Sequence, residues 1–139
     1  MTPHTIVVAA AVIEREGRYL VTRRQPDTHL AGQWEFPGGK CEQGETLRAC
    51  LCRELREELN VEATIGTLVL TTTHEYPGRR VELHFIRCGI EGEPAPQLGQ
   101  EMRWIRREEF HGLEFPPADA ELIRLLTARN RQDGSTPTS

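Results

Sequence analysis

The 139-residue chain reads as an α/β or α+β sandwich, and three observations predict it. Runs rich in apolar and β-branched residues lie on both sides of one central amphipathic helix. A second amphipathic helix closes the chain. The length suits one domain with a single hydrophobic core, and 37% hydrophobic with 27% charged residues fits a globular protein.

Residues 6–13 are mostly Val, Ala and Ile, as in a strand buried on both faces. Arg15, Glu16 and Gly17 read as a turn, and residues 19–22 return as the second strand of a hairpin. Arg23 and Arg24 end that strand, where paired arginines by themselves suit a solvated edge. Residues 25–33 form a polar loop containing His29. Trp34 and Phe36 lie two apart, as core aromatics of a short strand do, and their place beside Gly38 also lets one of them border a binding pocket.

The central helix carries Leu47, Leu51, Leu55 and Leu59 as an apolar stripe. At about 100° per residue, Glu54, Glu57 and Glu58 share one face beside it. Residues 61–73 are β-branched and strand-like. Pro77 and Gly78 mark a turn, and residues 81–88 form the return strand. Residues 91–99, with Gly92, Pro94 and Pro96, read as a loop. A short strand follows at 102–105 and a helical turn at 108–110. Pro116 and Pro117 precede a helix over 119–128 with Leu122, Ile123, Leu125 and Leu126 inward. One domain over 3–128 is therefore expected, with 129–139 as a disordered tail.

The formal charge of -4 with no dominant basic patch argues against a nucleic-acid polymer as partner. No apolar run is long enough to span a membrane and the first residues lack a signal-peptide layout, so a cytoplasmic protein is expected. Cys50 and Cys52 point to opposite sides of the central helix and no C-x-x-C pair exists. Cys41, Cys50, Cys52 and Cys88 are accordingly read as reduced thiols, with Cys41 exposed in the loop before the helix.

Clustered glutamates on a helix are usually a solvated face, and Arg53 with Glu57 could be ordinary surface patterning. The spacing here is more exacting. Gly39 is followed after five residues by Glu45, after seven more by Arg53-Glu54-Leu55, then by Glu57-Glu58 and Val61. This stretch resembles the Nudix box, the signature of the Nudix hydrolases, except that Asn60 stands where the family has glycine. That position ends the helix in a left-handed conformation, which Asn tolerates. The resemblance implies that Glu54, Glu57 and Glu58, with the Gly38 carbonyl, hold a divalent metal. Arg53 would orient the glutamates, and Glu54 would serve as the base that activates water. It also implies a mixed sheet packed between helices over nearly all of residues 3–128. Hard oxygen donors suit Mg²⁺, with Mn²⁺ as a substitute, and such ions polarise phosphoryl oxygens and acidify a bound water.

The stretches TRRQPDTHLAGQWEFPGGK and FPPAD are similar to the MutT subgroup, whose members cleave nucleoside triphosphates to monophosphate and pyrophosphate. That resemblance implies Arg24 and Arg79 near the nucleotide and Asp119 at the base-reading position; Phe36, from its own place beside the expected metal site, is read as the aromatic that borders the base pocket. MutT proteins have asparagine where this chain has Asp119, whereas the CTP pyrophosphohydrolases, which RELREEL and EATIG also resemble, have aspartate. The readings left open are an oxidised purine triphosphate such as 8-oxo-dGTP, a cytidine triphosphate, and a non-catalytic nucleotide-binding module. Asp119 can equally cap the last helix. Many relatives carry a loop glutamate where this chain has Leu98, and Glu101 is the nearest carboxylate that could replace it. A monomer or a homodimer is compatible with all of this.

Overall fold

The computed structural model of the protein describes residues 4–26 and 31–135. Its elements in order are β1 (His4–Arg15), β2 (Arg18–Arg23), β3 (Trp34–Glu35), β4 (Gly38–Lys40), α1 (Leu47–Leu59), β5 (Glu62–Tyr76), β6 (Arg79–Glu91), β7 (Met102–Arg106), 3-10 turns at Arg107–Gly112 and Pro117–Asp119, and α2 (Ala120–Ser135). His29 and residues 136–139 lie outside the described residues, as does Pro3 at the start of the expected domain.

β1 is the spine. It pairs in parallel with β6 from His4 to Ile13, and antiparallel with β4 on its other side. Its last residues start the β1–β2 hairpin. The turn has Glu16 at φ 53° and Gly17 at φ 78°, and two successive positive φ values match the right-handed twist of the flanking strands. β5 adds antiparallel to β6 at the sheet edge, while β2 carries β3 and β7.

Alternation along β1 feeds two cores, so the strand is buried on both faces as expected. Ala9, Ala11 and Ile13 pack with Leu51, Leu55 and Leu59 of α1. Ala10 and Val12 pack with Phe36, Phe85, Phe110, Leu122 and Leu126 on the opposite side. The mixed sheet is thus sandwiched between α1 and α2. Among the described residues no helix is long and apolar enough to cross a membrane.

Both ends of α1 are capped. The Thr46 hydroxyl accepts from the Ala49 N–H at 3.1 Å. At the other end Asn60 is left-handed at φ 57°, the conformation its box position requires. The loop after β6 supplies further donors to the helix C-terminus: the Ala95 N–H reaches the Leu59 carbonyl and the Gln97 N–H the Glu58 carbonyl.

Two expectations are corrected. Cys41 and Cys50 are not free thiols; they form a disulfide, because the chain doubles back from β4 into α1 and brings their Cα atoms to 5.1 Å. Cys52 and Cys88 are free. Leu125 points outward at 39% exposure, because two well-spaced leucines, Leu122 and Leu126, already fill the side of α2 facing the sheet. α2 spans Ala120–Ser135.

Candidate active site

Two tight approaches place the glutamates of α1 against the strand before it. β4 crosses β1 with Gly39 opposite Ala9, and a Cβ on Gly39 would fall inside the Glu54 carboxyl group. Gly38, at φ 150°, leaves equally little room, since a Cβ there would strike the β1 backbone at Ala9 and Ala10. Gly38 is therefore demanded by backbone approach, whereas a side chain at Gly39 would push the Glu54 carboxyl out of its place.

Arg53 organises the cluster. Its Nε donates to Glu45 Oε2 at 2.7 Å, and its Nη2 donates to Glu45 Oε1 at 3.0 Å and to the Lys40 carbonyl at 3.1 Å. Its Nη1 donates to Glu54 at 3.0 Å and to Glu57 at 3.3 Å. One guanidinium thus ties the loop after β4 to the glutamate face of α1. Glu45 also accepts the Glu42 N–H at 2.8 Å. The Arg53 hydrogen bonds, with that backbone bond, hold the Glu45 carboxyl down at about 2.

The other carboxylates are pushed the opposite way. Burial raises Glu54 against the lowering pull of Arg53. Burial pushes Glu58 up to about 8, with Glu35, Glu54 and Glu57 adding repulsion and only the Gly38 N–H opposing it. Among the described residues no cation pairs with the Glu58 side chain, and none is needed if the group holds a proton.

Glu54, Glu58 and Gly38 open into a cavity of about 680 Å³. Ala10 of β1 and Leu83 and Phe85 of β6 line it, as do Phe36, Pro116 and Asp119. Arg24 and Arg79 also line it, the latter lying over the Tyr76 ring at 5.6 Å. The fold therefore gathers Gly38, Glu54, Glu58, Arg24, Phe36, Arg79 and Asp119 around one space. Glu57 stays outside on the helix rim with its side chain 59% exposed. Glu101 is elsewhere, paired with Arg23 at 3.0 Å.

Asp119 ends the second 3-10 turn and is 5% exposed, and no backbone hydrogen bond is among the influences on its carboxyl. It faces Glu35 and Arg24 instead, and burial, with repulsion from Glu35, pushes it up to about 7. Glu35 is the residue that sequence reasoning missed. It lies in the cavity wall, bound to Arg24 at 2.7 Å, and burial raises its carboxyl. The signal was a lone carboxylate between two buried aromatics. Its partner becomes visible only through the β2–β3 register, which sets Arg23 opposite Trp34.

The residues fit a divalent metal by their chemistry. Hard carboxylate donors crowd together with mutual repulsion, and one of them is buried without a cation partner, which a bound cation would relieve. As placed, no three acidic, His or Cys side chains among the described residues are grouped to hold a metal ion, and Glu57 stays on the rim, apart from the cavity that Glu54 and Glu58 line.

A family model described as NUDIX domain matches residues 8–125. The chain is 40% identical over 124 residues to the CTP pyrophosphohydrolase of Escherichia coli strain K12, covering 88% of this chain and 92% of that protein. It is 36% identical over 121 residues to the 8-oxo-dGTP diphosphatase of the same strain, covering 86% and 94%. The solution structure of the Escherichia coli ORF135 protein superposes with a TM-score of 0.83 at 36% identity, covering 99% of this chain and 96% of that one.

Proposed function

The chain belongs to the Nudix hydrolase family, enzymes acting on phosphorus anhydrides, and from that premise we propose that it is a MutT-type pyrophosphohydrolase converting nucleoside triphosphates to monophosphate and pyrophosphate. The observation that carries the reading is one cavity lined both by the carboxylates Glu54 and Glu58 and by Phe36, Leu83, Phe85, Pro116 and Asp119. The carboxylates suit metal-bound phosphates, and the apolar residues with Asp119 suit a nucleobase.

Glu54, Glu57 and Glu58 would hold Mg²⁺, or Mn²⁺ in its place, together with Gly38. The ion supplies charge neutralisation of the phosphates and a more acidic bound water. Glu54 accepts the proton of the attacking water, a role favoured by the burial that raises its carboxyl. Arg53 keeps Glu54 aimed and holds the β4 loop in place through Lys40 and Glu45. A net charge of -4 repels free triphosphate, so metal-bound substrate is the form the site admits.

Base choice rests on Asp119 and Glu35. An ionised carboxylate only accepts, which suits the amino group of cytosine, or the N1–H and N7–H of 8-oxoguanine. With Asp119 held up at about 7, a donating form is also populated near neutral pH, and that form can meet the guanine O6. Oxidised purine triphosphates such as 8-oxo-dGTP are accordingly the first reading, as the name of one relative suggests. The Glu35–Asp119 pair of acceptors favours a second, CTP or a modified cytidine triphosphate, matching the name of another.

The test is a panel of triphosphates with Mg²⁺, scored for monophosphate and pyrophosphate, with ¹⁸O-labelled water. Label in pyrophosphate marks attack at the β-phosphorus. Label in the monophosphate would mean attack at the α-phosphorus, and release of orthophosphate with diphosphate would exclude the reaction proposed.

A further inference from the structure

The disulfide between Cys41 and Cys50 takes no part in the reaction above, yet it spans the loop that builds the site. Cys41 directly follows β4, the strand of Gly38 and Gly39, and its N–H donates to the Val7 carbonyl at 2.8 Å. Cys50 is fully buried in α1, one turn before Glu54, with its Sγ 3.7 Å from the Gly39 carbonyl oxygen. The bond therefore ties the strand lining one side of the carboxylate cluster to the helix lining the other. Arg53 makes the same connection without covalency, through Lys40 and Glu45.

The remaining cysteines are poor rivals. Cys88 is buried, and that burial pushes its thiol up to about 12. Cys52 turns to the far side of α1, with its Sγ 3.8 Å from the Ala63 carbonyl. Cys41 is half-exposed, whereas Cys50 is sealed behind it. One accessible thiol next to one buried thiol is the arrangement of an attacking and a resolving cysteine.

We propose that Cys41 and Cys50 form a reversible redox modification site, whose oxidation locks the Gly38–Lys40 strand onto α1 and tightens divalent-metal binding by the carboxylate cluster. The oxidant is a low-molecular-weight disulfide. The Cys41 thiolate attacks one of its sulfurs and releases one small thiol; the Cys50 thiolate then attacks the Cys41 sulfur of the mixed disulfide and releases the second. One S–S bond forms in the protein, one breaks in the small molecule, and the two protein thiol protons end on the two released thiols. Locking removes backbone freedom that metal binding would otherwise have to freeze, so the oxidised state binds more tightly.

The metal arm of this proposal rests on the site reading above; the covalent arm does not. The full chain is treated with oxidised glutathione or with a phosphine reductant, freed of reagent, and examined in three ways. Thiol labelling should count two free cysteines after oxidation and four after reduction, with residues 41 and 50 in one linked peptide. Titration with Mn²⁺ alone should give a dissociation constant about 3- to 10-fold weaker for the reduced protein. The melting temperature should fall on reduction by about 5–10 °C. Cys41→Val, a change at the half-exposed end, should show three free thiols and the weaker Mn²⁺ affinity of reduced protein under both treatments. Four labelled thiols after oxidation would overturn the proposal. Equal Mn²⁺ affinity in the two states, with binding intact, would overturn it while sparing the metal site. Absence of Mn²⁺ binding in both states would overturn both.

Discussion

The Glu54 carboxyl occupies the space where a side chain on Gly39 would be, so the strand before α1 and the glutamate on it are packed backbone against carboxylate. A methyl group at that position meets the carboxyl end of the Glu54 side chain, so the acid has to leave the place where Arg53 holds it at 3.0 Å, or the strand has to shift. Gly39→Ala should lower kcat/KM by about 10²-fold or more, the usual cost of misplacing a reacting group by roughly an ångström. Far-ultraviolet circular dichroism would establish that the fold persists. Turnover at the wild-type rate would show that Glu54 does not need this position.

Glu54→Gln preserves shape and removes the proton acceptor. We expect kcat to fall by about 10²–10⁴ with little change in stability. Glu58→Gln and Glu57→Gln should instead raise the Mg²⁺ concentration needed for half-maximal rate. If Glu57→Gln leaves that concentration unmoved, the exposed rotamer seen here is also the working one and Glu57 is no ligand.

Asp119→Asn replaces an acceptor by a group that both donates and accepts. Relative kcat/KM should move roughly ten- to a hundredfold toward 8-oxo-dGTP and away from CTP, since each charge-assisted hydrogen bond is worth about 1.5–3 kcal/mol. An unchanged ranking among 8-oxo-dGTP, dGTP and CTP is the outcome that removes Asp119 from base recognition. It would leave Glu35, Arg24 and Arg79 to decide.

The buried acids predict how the metal-free protein responds to pH. Asp119 at about 7 and Glu58 at about 8 both sit above the ordinary carboxylate range. The native state thus keeps protons that the unfolded chain has lost above roughly pH 4. Their contribution is fully present below that pH and is lost as the pH rises through 7 and 8. The melting temperature should therefore decline from about pH 5 to 8.5, and Asp119→Asn should flatten the part of the slope below neutrality. Mg²⁺ should remove the part due to Glu58 by replacing its proton. Glu45, held at about 2, works in the opposite sense but only at lower pH. A melting temperature that climbs across this window would contradict the assignment.

Phe36 lines the cavity yet is 4% exposed, with ring centroids 5.8–5.9 Å from Phe85, Phe110 and Phe115. Phe36→Ala should cost about 3–5 kcal/mol of stability, seen in denaturant unfolding. Lost activity in that variant then reports unfolding, and Phe36→Leu is the fairer probe of its contact with substrate.

Local chemistry alone determined much of this protein. The leucine stripe and the glutamate face follow from helical periodicity, and the left-handed Asn60 from the glycine that the resembling family has there, so they were legible before any fold was known. The β1–β2 and β5–β6 hairpins were marked by their turn residues, because such turns are encoded within four neighbours. Contacts between segments distant in sequence were decided only by the tertiary structure. Gly39 beside Glu54, Glu35 on Arg24, and Asp119 turned into the cavity all depend on strand register and on how the last helix docks. Even Cys41 and Cys50, only nine apart, met through a chain reversal that no pairing rule for one helix could reveal. The raised acids belong to the same class, since burial and repulsion are sums over neighbours that the folded chain alone brings together.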